Sequence, residues 1–166
     1  MGLQGGPVTE NKLQDFVAHS GLLFEGNGLP GVAGRILGHL LVCEPAMQSS
    51  ADLARALETT SGSISTNTRM LLQGELIEKV PVPGKRGTFF QILPGAHTKQ
   101  LTSWQTQTRL FRELLDEGIA VLEGMQVPEE RVERIREARA LYAFFERELP
   151  LLLMRWEQER ATLGES

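Results

Sequence analysis

Between Ser61 and Arg69 the chain reads SGSISTNTR, a run of hydroxyls closed by an amide and a guanidinium, with no histidine, carboxylate or thiol inside it. Serine and threonine become nucleophiles only beside a base, and none is supplied here. What such a set does well is hydrogen-bond: hydroxyls, amides and arginine meet phosphate oxygens and the edges of bases. Ser61, Gly62, Ser63, Ser65, Thr66, Asn67 and Arg69 are therefore the first candidate binding residues. Lys85 and Arg86, the adjacent bases of PGKRG, are the second group and suit a nucleic-acid backbone.

The other reactive side chains point away from catalysis. His19, His39 and His97 lie far apart without metal-ligand spacing, and His39 on an apolar helix reads as a core or interface residue. Cys43 is the sole cysteine; it follows Leu40-Leu41-Val42 and precedes an acid, which fits a buried structural thiol better than a redox sensor. No glycine-rich phosphate loop follows a strand, since the glycines at 26, 28, 31 and 34 fall between helices. The run EERVERIRE reads as a solvated helical face. The expectation is a protein that is not an enzyme and carries no cofactor and no metal.

The elements that must position these residues follow from periodicity. Residues 1–9 are rich in glycine and proline and read as a disordered tail. Helices are expected over 10–25 and 31–43, the second after Pro30, with Gly34 and Gly38 spaced to let another helix approach closely. Ser49 with Asp52 three residues on is a capping box that opens a short helix. Thr60 caps the next, over 61–74, where Ile64, Thr68, Leu71 and Leu72 turn inward and the polar set turns outward, with Asn67 and Met70 beside it. Ile77–Val82 and Thr88–Leu93 read as strands of a hairpin with its basic tip at 83–87. A long helix follows over 98–125, and a second starts at Pro128 and is kinked or interrupted at Pro150.

Helix, turn, helix and basic hairpin make a winged helix-turn-helix. The fold class is mainly α, with this head at 10–97 and a helical dimerisation arm at 98–166. The net charge of −4 opposes nucleic-acid binding, but residues 49–93 hold five bases and four acids and are the one net-positive segment. No run approaches the ~20 apolar residues that span a bilayer. The N-terminal MGLQGGPVTENK lacks a secretory core, so a cytoplasmic protein with no membrane partner is expected.

From Phe16 to Leu93 the chain resembles the GbsR-like branch of the MarR superfamily of bacterial transcription regulators. The strings that carry the likeness are GLLFEGNGLPGVAGRILGHLLVCEP, SSADLARAL, GSISTNTRMLLQGELIEKV and PGKRGTFFQI, in that order. The resemblance implies a homodimer that binds double-stranded DNA and acts as a repressor, with the recognition helix at 61–74 and Lys85 and Arg86 on the wing. Recognition helices one DNA turn apart, ~34 Å, would read a palindromic operator. The chain departs from the family at Glu58, where members often have glycine, and at Ser61, where they often have a base. Some members sense choline-like cations, which aromatic faces bind well. That makes Trp104, Phe111, Tyr142 and Phe145 the expected effector residues, against the simpler reading of the same rings as dimer-interface core. The alternative function is a winged-helix protein-interaction module without DNA binding.

Overall fold

Leu57, Ile64, Leu71 and Ile77 are buried almost completely, and these four residues knit two short helices and a strand into one core. The computed structural model describes residues 7–163 other than Arg86 and Gln126. The elements are α1 (Pro7–Gly26), α2 (Gly31–Val42), β1 (Gln48–Ser49), α3 (Ser50–Ala56), α4 (Ser61–Gln73), β2 (Ile77–Val80), β3 (Phe89–Ile92), α5 (Ala96–Gly124) and α6 (Glu129–Leu163). They form two compact units, a head at Met1–Ala96 and an arm at His97–Ser166. The head is a winged helix.

Within the head, α1 and α2 meet backbone to backbone. A Cβ at Gly34 would sit 2.4 Å from the Ser20 carbonyl oxygen, and one at Gly38 would sit 2.5 Å from Ser20 Oγ. The glycine pair at four-residue spacing does what its spacing predicts. Ala33, Ile36, Leu37 and Leu40 of α2 then complete the core with Val17 of α1 and Leu53 of α3.

The sheet is antiparallel in the order β1-β3-β2. Phe89 pairs with Ser49 on one side and Val80 on the other, and Phe89 and Phe90 are both buried although they point to opposite faces. The strand β1 was not expected: two residues carry no periodic signal, and its second residue is at once the cap of α3. The wing strands are shorter than 77–82 and 88–93. Pro81, which has no N–H to give a ladder, ends β2.

Two further expectations change. Helix α1 begins at Pro7, inside the stretch read as tail; a proline lacks only an N–H that a first turn leaves unused. Residues 1–6 lie outside the described residues. Of the kink or interruption expected at Pro150, the interruption does not occur: α6 continues to Leu163. One lost backbone bond is outweighed there by neighbours on both sides: Leu149 is buried, and Trp156 Nε1 donates to Thr98 Oγ1 of α5 at 2.8 Å.

In the arm, α5 and α6 are joined by long side chains. Trp104 packs on Phe145 with ring centroids 5.2 Å apart, and Phe111 stacks on Tyr142 at 4.9 Å. Arg139 Nε donates to Asp116 at 2.8 Å, Arg136 Nη2 donates to Glu123 at 2.9 Å, and Arg112 bonds both Asp116 and Glu146. The face of EERVERIRE is thus only partly a solvated one, because Arg136 crosses to α5.

Candidate nucleic-acid interface

The Ser49 side chain accepts from the Asp52 N–H while Asp52 accepts from Ser49 N, so the expected capping box closes both ways. The Ser49 hydroxyl also donates to the Asp52 carboxylate at 2.6 Å, and this bond, with the one from Ser49 N, holds the Asp52 carboxyl below the usual carboxylate range. Thr60 Oγ1 accepts from Ser63 N at 3.2 Å and caps α4. A helix start leaves its first N–H groups without intrahelical acceptors and carries a partial positive charge, which suits an anion.

On α4, Ser61, Gly62, Ser65, Thr66 and Arg69 are exposed, and Ser63 is half-buried. Arg69 is the only charge among them. Asn67 departs from the expected set. It is buried, and its Nδ2 donates to the Ser63 carbonyl oxygen at 2.8 Å and to Ser63 Oγ at 3.4 Å. An amide one turn along can fold back on the helix, and here it supports Ser63 instead of facing outward.

The turn between α3 and α4 is closed by two bonds: Glu58 N donates to Arg55 O at 3.3 Å and Thr59 N to Ala54 O at 3.0 Å. This is a Schellman end, and its left-handed position is filled by Glu58, with φ 48°. Helix α4 ends the same way: Leu76 N donates to Leu71 O, and Glu75 takes φ 52°. Both helices of the pair therefore end on a glutamate in a conformation that glycine prefers. The departure at Glu58 leaves the turn's shape intact and strains it instead.

The wing presents Lys85 at an exposed position, its Nζ 5.7 Å from the centroid of the Phe89 ring. Arg86 lies outside the described residues. Beneath the wing, an open cavity of about 860 Å³ runs between α1, α2 and α3. Leu13, Val17, Arg35, His39, Cys43 and Phe89 are among the residues that line it. Burial pushes the His39 imidazole below its usual value and the Cys43 thiol above its own. The Cys43 S–H donates to the Pro45 carbonyl oxygen at 3.4 Å. Sequence reasoning passed over Arg35, whose Nη2 donates to the Leu57 carbonyl oxygen at 2.6 Å. Its signal was a lone cation in the otherwise apolar run VAGRILG.

The aromatic residues do converge in the arm, but on one another. With Phe111 and Tyr142 stacked and Tyr142 edge-on to Phe145 at 6.4 Å, their facing sides are occupied by rings rather than open to a cation.

The HTH-type transcriptional regulator MmpR5 of Mycobacterium tuberculosis is 40% identical to this chain over 149 residues, which are 90% of this chain and 89% of the relative. The chain belongs to the MarR family. The model of MmpR5-like MarR family transcriptional regulators matches residues 95–159, so it covers the arm, where sequence strings had said least. A crystal structure of a transcriptional regulator superimposes with a TM-score of 0.75 at 39% identity, covering 89% of this chain and 99% of that one. This MarR-family chain is a transcriptional regulator of the winged helix-turn-helix class, not an enzyme. No helix among its described residues is long and apolar enough to cross a membrane.

Proposed function

We propose that this MarR-family regulator represses transcription as a homodimer, laying the N-terminal half of α4 in the major groove of its operator. The observation that carries this reading is the exposed polar face of α4, opened by a Thr60-capped N-terminus and closed by Arg69. Ser61, Gly62, Ser63, Ser65 and Thr66 meet phosphates and base edges, Arg69 reaches a guanine or a phosphate, and Lys85 and Arg86 hold the backbone from the wing. Asn67 does not belong to this set; it braces Ser63.

The homodimer is supported by apolar side chains left open on each unit. Leu22 and Leu23 of α1 are 63% and 67% exposed, and Leu114, Val121 and Leu141 of the arm are 53–61% exposed. An isolated soluble chain rarely leaves so much apolar surface in water. For a small-molecule effector, the head offers the open cavity beneath the wing, and the arm offers the exposed flanks of Trp104 and Phe111, whose other sides pack on Phe145 and Tyr142. The GbsR-like branch is the finer placement and rests on the head's strings; titration with choline tests it, with saturable binding in its favour and no heat change against it.

The test of the main reading is fluorescence anisotropy against the region upstream of the gene and against random duplex, across a salt series. Operator affinity should fall steeply with salt. Arg69→Ala should weaken the operator more than random DNA, and Lys85→Ala with Arg86→Ala should weaken both alike and flatten the salt slope. Equal affinity for both duplexes, or no salt dependence, would remove the proposal.

A further inference from the structure

The turn that sets the direction of α4 is held by a side chain from outside the helix pair. Arg35 stands on α2, half-buried, and its Nη2 donates to Leu57 O at 2.6 Å across 22 residues of chain. Leu57 is the C-cap of α3, and the next residue is the left-handed Glu58. On its other side the stem of Arg35 passes over Gly21 of α1: a Cβ there would stand 2.8 Å from Arg35 Cγ. No carboxylate lies within ion-pair distance of Arg35 among the described residues, so its hydrogen bond is spent on that one carbonyl.

We propose that Arg35, seated on Gly21, is a positioning residue for DNA reading: it fixes the α3–α4 turn and thereby the N-terminus of α4. The inference rests on the groove-binding reading of α4 given above. Three physical points carry it. A C-terminal helix carbonyl has no intrahelical donor, and a guanidinium donor makes a stronger bond than a neutral one. The residue that follows is in a conformation that an L side chain opposes, so the turn needs support from outside. And α4 starts only three residues further on, so a change at Leu57–Glu58 moves the capped N-terminus bodily.

The full-length chain tests this with Arg35→Gln, Arg35→Lys and Gly21→Ala. Without DNA, Arg35→Gln should speed amide exchange at Glu58 and Thr59 about ten-fold while Leu71 in the α4 core stays unchanged. With DNA, it should lower the ratio of operator to random affinity about ten-fold, and Arg35→Lys should restore most of that ratio. The Cβ of Gly21→Ala would meet Gly31 O at 3.1 Å as well as the Arg35 stem, so it should cost stability in either background, but its partial loss of operator preference should add nothing on top of Arg35→Gln. If Arg35→Gln does not fold, the comparison runs between Gly21→Ala, which should lose part of the operator preference, and Arg35→Lys, which should keep most of it; equal preference in the two would overturn the role of Arg35. Exchange that rises equally at Leu71, strictly additive losses, or an operator preference that Arg35→Gln keeps would overturn the role of Arg35 alone. A parent protein with no operator preference would remove the groove-binding reading and this role with it.

Discussion

In the head, α1 and α2 meet closely at Gly34 and Gly38, which seat Ser20 and Phe24 of α1; in the arm, α5 and α6 stand further apart and are bridged by arginines and rings. The ion pairs follow the same division. Among the described residues the head has Arg55 with Asp52, one turn apart on a single helix, whereas Arg112, Arg136 and Arg139 all span the arm's two helices. Close contact gains dispersion and shape, and tolerates almost no change in volume. Long charged bridges gain less per contact, depend on pH and salt, and leave slack for substitution. One chain therefore holds a rigid reader and a yielding arm.

The sharpest way to break that contrast is a single methyl group in each region. Gly34→Ala should destabilise the protein by about 2 kcal/mol in urea titration, because the new Cβ meets the Ser20 backbone and Phe24. The same change at Gly118 meets only the far methyl of Ile135, so it should stabilise by about 0.5–1 kcal/mol through helix propensity. Like signs at the two sites would show that the regions do not differ in packing tolerance. Next in size, Glu58→Gly should stabilise the head by about 0.5–1 kcal/mol, seen as a raised melting temperature, by relieving the left-handed glutamate.

The smallest effect concerns charge. The hydrogen bond from Arg139, helped by Arg112, holds the Asp116 carboxyl below the usual carboxylate range. Its folded value is depressed, so its stabilisation is complete above the unfolded value of ~3.9 and is lost as pH falls through the folded one. The gap in melting temperature between the parent and Asp116→Asn should thus narrow as pH falls from ~5 toward ~3. A gap independent of pH would mean that the pair holds the arm by shape rather than charge.

What the sequence disclosed, and what it hid, follows from range. Caps at Ser49 and Thr60, the inward face of Ile64, Thr68 and Leu71, and the close approach at Gly34 and Gly38 are local or periodic, and all were legible. The family departure at Glu58 pointed to the turn that is strained. The bond from Arg35 to Leu57 was hidden, because nothing periodic links residues 22 apart. Asn67 lies at the edge of the outward face, where a helical wheel cannot tell an amide that reaches out from one that folds back on Ser63. Aromatic spacing gave the rings of the arm a shared location but not the stacking of Phe111 on Tyr142 or of Trp104 against Phe145.

The glycine contact between α1 and α2 has a mechanical consequence. Helices seated backbone on backbone cannot slide past each other without lifting one over the other, so shear between them is closed off. The pair must travel as a single block. The block is tied to the rest of the head by the apolar core that Val17, Ile36 and Leu40 share with Leu53, Leu57 and Ile64, by the segment 43–47, and by the hydrogen bond that Arg35 makes to the turn. Seen as a machine, the head is a stiff block with a greased seat of apolar side chains and a polar latch, and the latch sits at the root of the helix that reads.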